Sequence, residues 1–259
     1  MKRGIIDVHG KRLYVECSDS YENKPTIVFL HDSLGCVQLW RDFPAKLADE
    51  TGCNLLVYDR LGYGKSFPMP TYERENDYME TEAYVLNGLL DIFNIKEAIL
   101  FGHSDGGTIA LITAAKHPKK IKAVICEAGH IFVEQATVKG VCDALDAYNT
   151  TDLSGRLRKY HSDKVEMLVK AWTEIWLSHQ FRNWNIEYLL KDIYAPLLFI
   201  QGENDEYGTL EQVGKTLSRV SGPSEKLIIP DIGHTPHKEV PEMVLKKSAD
   251  FIIKINKLE

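Results

Sequence analysis

Short runs of consecutive apolar residues recur along the chain, and amphipathic stretches separate most of them. TIVFLH (26–31), NLLVYD (54–59), AILFGH (98–103), AVICEA (123–128), PLLFIQG (196–202) and KLIIPD (226–231) are continuous rather than alternating. That pattern predicts strands covered on both faces of a parallel sheet. Residues 4–8 and 12–17, flanking His9-Gly10-Lys11, predict an opening hairpin.

The intervening segments have helical spacing. Leu39, Trp40, Phe43 and Leu47 share a face, with Gly52 as a stop. Residues 78–93 direct Val85, Leu86, Leu89, Ile92 and Phe93 toward a core, and Ile109 to Lys116 is apolar and ends before Pro118. Leu210, Val213, Leu217 and Val220 form another stripe, and a last helix is predicted over about 239–257. Strand–helix alternation of this kind gives an α/β fold, a mostly parallel sheet with helices on both faces.

One stretch breaks the alternation. Residues 130–194 hold helical patterns and no convincing strand; Val165, Leu168, Val169, Trp172, Ile175 and Trp176 follow i, i+3, i+4 spacing. A crossover between parallel strands needs only about a dozen residues, so this segment is an insertion large enough to be a helical cap. The expected division is a core of 1–129 and 195–259 and a cap of 130–194. Trp172, Trp176 and Trp184 fall in the cap and are its candidates for the substrate pocket; most of its aromatics should pack it onto the sheet, with one or two lining a cavity.

Composition narrows the classes. The chain has 259 residues, 44% hydrophobic and 26% charged, as in an ordinary globular protein. A formal net charge of −6 argues against a nucleic-acid binder. Cys17, Cys36, Cys53, Cys126 and Cys142 are scattered, without a CxxC pair or zinc-ligand spacing. No apolar run reaches the length of a membrane span, and the N-terminus lacks the apolar stretch of a secretory signal. A cytoplasmic protein acting on a small molecule is expected, without nucleic-acid or membrane partners; a homodimer is left open.

The strongest chemical signal is Gly102-His103-Ser104-Asp105-Gly106-Gly107. A GxSxG match alone is modest, but this one follows a buried strand and opens an apolar helix, the setting a nucleophile elbow needs. A tight turn there brings backbones too close for a Cβ, hence the glycines. A serine hydroxyl needs a base, and that base an orienting acid. PLLFIQG runs into Glu203-Asn204-Asp205, and KLIIPD into Ile232-Gly233-His234. Both candidates lie just past strand C-termini, as Ser104 does, at the edge where active sites of open α/β sheets collect.

With GHSDGG, the GEND turn, GHTPHKEVP and DRLGYGKS (59–66), the chain resembles a capped α/β-hydrolase over essentially its whole length. The resemblance implies that Ser104 is the nucleophile, His234 the general base and acid, and Asp205 its orienting carboxylate. It places the base at His234 rather than His237 and the acid at Asp205 rather than Glu203, Asp231 or Glu127. His103 should pack behind the elbow, and DRLGYGKS should be a structural turn. One oxyanion donor should be the Asp105 N–H; by residue match the second is Ser33 in His31-Asp32-Ser33-Leu34-Gly35.

Relatives usually have Gly where this chain has Asp32. An ionised carboxylate aimed at an oxyanion would oppose catalysis. The expectation is therefore that Asp32 turns away and is paired, with Arg60 or a loop amide; the alternative is that it recognises a polar or cationic group of the substrate.

A serine at the elbow implies acyl transfer to water through an acyl-enzyme, with no cofactor and no metal. The expected activity is hydrolysis of a carboxylic ester or lactone of a small, partly apolar substrate. C–C bond hydrolysis of a ring-cleavage dienone is the runner-up, thioester and aminopeptidase chemistry are not separated from it, and a ligand receptor on the same fold is the non-enzymatic alternative.

Overall fold

The computed structural model describes residues 2–257. A hairpin opens the fold: β1 (Lys2–Val8) pairs antiparallel with β2 (Lys11–Ser18). Its turn uses positive φ at His9 and Gly10, and the Gly10 N–H donates to Asp7 Oδ1 at 2.9 Å. Six strands follow: β3 (Thr26–Leu30), β4 (Asn54–Tyr58), β5 (Ala98–His103), β6 (Ile121–Glu127), β7 (Leu197–Gly202) and β8 (Ser224–Ile229). The sheet order is β1-β2-β4-β3-β5-β6-β7-β8, with β3 to β8 parallel and β2 antiparallel to β4.

The continuous apolar runs are explained by two cores that divide each strand by alternation. Ile27, Phe29, Ile99, Phe101, Leu198 and Ile200 join one cluster, with α1 (Phe43–Thr51) and α9 (Pro241–Asn256). Val28, Leu30, Ala98, Leu100, Leu197 and Phe199 join the other, with α2 (Tyr78–Ile92) and α3 (Asp105–Lys116). The central strands β3, β5 and β7 are apolar along their length because neither face meets water.

The predicted helical face at 39–47 is broken. Val37–Trp40 is a 3₁₀ turn, Arg41 takes φ 54°, and α1 starts only at Phe43. Pro44 is the reason: it has no N–H to give the Trp40 carbonyl, so it is tolerated only in a first helical turn.

Between β6 and β7 the chain forms α4 (Gln135–Thr150), α5 (Leu153–His161) and α6 (Val165–Leu177), then short 3₁₀ turns. Trp172, Ile175 and Trp176 of α6 belong to the same core as α2 and α3. The segment's first residues are tied to the loop after β7. Gln212 on α7 (Leu210–Arg219) accepts the Ile131 N–H and donates to the Phe132 carbonyl, and Glu134 accepts the Thr209 N–H. Among the described residues no helix is long and apolar enough to cross a membrane.

Candidate active site

Ser104 sits between β5 and α3 with φ 55° and ψ −120°, a conformation that side chains rarely adopt. The surrounding backbone holds it there: its N–H donates to the Glu127 carbonyl at 2.9 Å, and its carbonyl accepts the Thr108 N–H. The glycines are sterically required. A Cβ on Gly102 would stand 2.1 Å from the Gly106 carbonyl oxygen, and one on Gly106 would stand 2.0 Å from that of Leu30. The helix can therefore approach both strands closely enough to present the serine at its N-terminus.

Three sheet-edge loops converge on this hydroxyl. Ser104 Oγ donates to His234 Nε2 at 2.9 Å, and His234 Nδ1–H lies 2.9 Å from both carboxylate oxygens of Asp205. Asp205 also accepts Gln201 Nε2 at 2.6 Å and the Tyr207 N–H at 2.8 Å. Its carboxylate cannot rotate without losing these bonds. The histidine loop is fixed by Glu239 of the short helix α8 (Pro236–Glu239), which accepts the N–H groups of Gly233 and Thr235. From below, His103 Nε2–H donates to the His234 carbonyl at 2.8 Å.

The electrostatics follow from burial and neighbours. Burial opposes the charged form of His234, yet Asp205, then Glu206 and Asp32, raise it above the ordinary imidazole value of 6.5. For Asp205, burial works upward but His234 and the hydrogen bonds bring it below the usual carboxylate range. His103 is pushed down to about 3, first by burial, and so stays neutral. Since His234 must be neutral to take the serine proton, kcat/KM should rise with pH through an apparent pKa above 6.5. Glu206→Gln removes one raising charge, so this limb should move to lower pH. A pH–rate profile with the limb unmoved or moved upward would contradict that assignment of charges.

Glu127 and His237 form a separate, fully buried pair beneath the elbow. The Glu127 carboxylate accepts the His237 N–H at 2.8 Å and sits 2.5 Å from its Nδ1. This pairing occupies both groups away from Ser104. His103, Glu127 and His237 are the one His/Asp/Glu group among the described residues whose ligand atoms gather, within 4.8 Å of one another. The His237 bonds and the His234 carbonyl already use most of those atoms.

A cavity of about 190 Å³ opens beside Ser104. Ser33 and Asp105, the expected oxyanion donors, line it together with Asp32, Trp172 and Trp176. Trp184 is a correction: it is absent from the wall, stacking on Phe181 and meeting Trp176 edge-on from behind. Asp32 is a second. Arg60 does reach this loop, but its Nη2 donates to the Asp32 carbonyl at 2.8 Å, and its Nη1 goes to Asp105. The carboxylate itself accepts no hydrogen bond among the described residues, with His103 Nδ1 3.9 Å away, and the residue lines the cavity. Arg60 is buried under the loop, where it meets backbone carbonyls and Asp105, not the Asp32 side chain.

His130, Glu206 and Tyr207 also line the cavity and were not singled out from sequence. Glu206 and Tyr207 adjoin Asp205 in the acid turn. His130 follows β6, so its place past a strand end was the available signal; its Nε2–H donates to the Tyr207 carbonyl at 3.1 Å.

A family model described as alpha/beta hydrolase fold matches residues 25–154. Serine hydrolase BPHL of Mus musculus is 27% identical over 208 residues, covering 76% of this chain and 69% of that protein. A 2-hydroxy-6-oxononadienedioate/2-hydroxy-6-oxononatrienedioate hydrolase of Klebsiella pneumoniae is 24% identical over 88% of this chain and 87% of its own length. Among solved structures, the enol-lactonase of Burkholderia xenovorans superposes with TM-score 0.77 at 20% identity, covering 96% of this chain and 99% of that one.

Proposed function

The chain belongs to the α/β-hydrolase fold family and is a hydrolase, and from that we propose that it cleaves a carboxylic ester or lactone of a small, partly apolar substrate through an acyl-enzyme on Ser104. The observation that carries this reading is the hydrogen-bonded chain Ser104–His234–Asp205, each link 2.9 Å, beside a cavity. In this reading residues 130–194 are the cap that encloses the substrate over the core of 1–129 and 195–259.

The steps follow from the geometry. His234 Nε2 takes the Ser104 proton as Oγ adds to the acyl carbon, and Asp205 stabilises the resulting imidazolium. The carbonyl oxygen becomes an oxyanion facing the N–H groups of Asp105 and Ser33. The Asp105 N–H is free because a helix's first amides have no intrahelical acceptor. Collapse breaks the bond to the alkoxide leaving group, which receives the proton from His234. Water then adds to the acyl-enzyme by the same route, and the acid leaves with Ser104 restored.

Two measurements test this. A fluorophosphonate should label the wild-type protein at Ser104, read by peptide mass spectrometry. Purified protein should turn over members of a panel of 4-nitrophenyl esters and lactones faster than thioesters or ring-cleavage dienones. Absence of labelling and turnover would overturn the assignment and favour a receptor. Dienone cleavage with inert esters would move it to C–C hydrolysis; the Klebsiella relative is named as a hydrolase of such an oxodienedioate.

A further inference from the structure

Three acidic residues, Asp32, Asp105 and Glu206, are among those lining the cavity beside Ser104, and its wall holds no lysine or arginine. Asp105 is answered from behind, where Arg60 Nη1 lies 3.5 Å and the Tyr78 hydroxyl 3.3 Å from its Oδ2. Asp32 and Glu206 have no such partner: neither carboxylate takes part in an ion pair with lysine or arginine among the described residues. Lys238, whose field acts on Asp32, is exposed on α8 and stands outside the wall. Trp172, Trp176 and Tyr207 add aromatic rings to the wall, a residue type whose faces attract cations.

Asp32, met by the field of Lys238 but by no ion pair with lysine or arginine, and the exposed Glu206 stand with three aromatic residues around one small space, a receptor for positive charge. Resting on the serine-hydrolase reading, the geometry points to a substrate bearing a protonated nitrogen, a primary ammonium or similar cation, held between Asp32 and Glu206 against these rings. Anionic acyl groups are rejected by the same charges.

The position of Asp32 gives the selection a kinetic form. It immediately precedes Ser33, the second oxyanion donor in this reading, so its negative charge opposes the charge that develops on the substrate oxygen. A neutral ester leaves that opposition in place. A cationic ester cancels it, so the preference appears in kcat as well as in KM.

Isosteric esters test this. The 4-nitrophenyl esters of 6-aminohexanoate, heptanoate and adipate (monoester) differ at the acyl end only in charge. Acetylcholine and 3,3-dimethylbutyl acetate do the same for the alcohol. In at least one series kcat/KM should favour the cation by about tenfold or more, as for a hydrogen bond to a charged group, with the anion slowest. Asp32→Asn should erase most of that ratio while raising kcat for the neutral ester, and Glu206→Gln should reduce the ratio further. Equal rates in both series, or a ratio indifferent to Asp32→Asn, would overturn the inference while leaving the hydrolase reading intact. Binding separates the opposite case: in Ser104→Ala, 6-aminohexan-1-ol should quench tryptophan fluorescence at about tenfold lower concentration than heptan-1-ol, and Ser104→Ala/Asp32→Asn should not discriminate. That preference without any ester turnover in wild type would uphold the cation site and overturn the hydrolase reading; no preference would overturn the site.

Discussion

Ser104→Ala is expected to lower turnover of a responsive ester by about 10⁴-fold or more. The size follows from how the site is wired. Ser104 Oγ is the hydroxyl bonded to His234 Nε2. The cavity hydroxyl nearest in sequence to His234, that of Thr235, is engaged by Glu239. What survives the substitution is orientation and oxyanion stabilisation alone. Asp205→Asn should cost a comparable factor, about 10⁴ in kcat, because an amide NH₂ facing Nδ1 favours the tautomer that carries its proton on Nε2, toward the serine. Both variants should keep the wild-type circular dichroism spectrum. If Ser104→Ala retains a tenth of wild-type activity, the nucleophile is elsewhere. If Asp205→Asn is harmless and Glu127→Gln is not, the acid has been assigned to the wrong carboxylate.

The second large effect concerns stability. Glu127→Ala should destabilise the fold by about 3–5 kcal/mol, the usual cost of leaving half of a buried pair behind. Glu127 is fully buried, its carboxylate takes both bonds from His237, and its backbone carbonyl holds the Ser104 N–H. Burial would raise the Glu127 carboxyl, but the His237 charge and bonds bring it below the ordinary value of 4.5. A group depressed in the folded state contributes stability above its unfolded pKa and loses it as pH falls through the folded one. Chemical denaturation should therefore show wild type and Glu127→Ala converging on acidification below pH 4.5. A loss below about 1 kcal/mol at neutral pH would mean the pair contributes little.

The sheet, its strand ends and the catalytic order were legible because each depends on local pattern. Continuous apolar runs mark strands with two covered faces, and the glycines around Ser104 mark a turn that excludes Cβ atoms. Legibility failed where an outcome depends on contacts between distant segments. The apolar face at 39–47 says nothing of Pro44's missing N–H, and the helix begins later than that face suggests. Trp184 shares the aromatic enrichment of the cap, yet Phe181 and Trp176 take its ring. That Arg60 meets the Asp32 carbonyl rather than its carboxylate depends on burial no motif records. The Glu127–His237 pair joins residues 110 positions apart.

Ser104 holds a backbone conformation that costs on the order of 1–3 kcal/mol in a residue with a side chain. Glycine would occupy the same turn with less strain. Selection for heat resistance alone would thus drift toward glycine at this position and yield a sturdier protein without its nucleophile. Laboratory evolution of this chain has to score activity in every round, because the turn that makes the serine reactive is also where the fold has stability to regain.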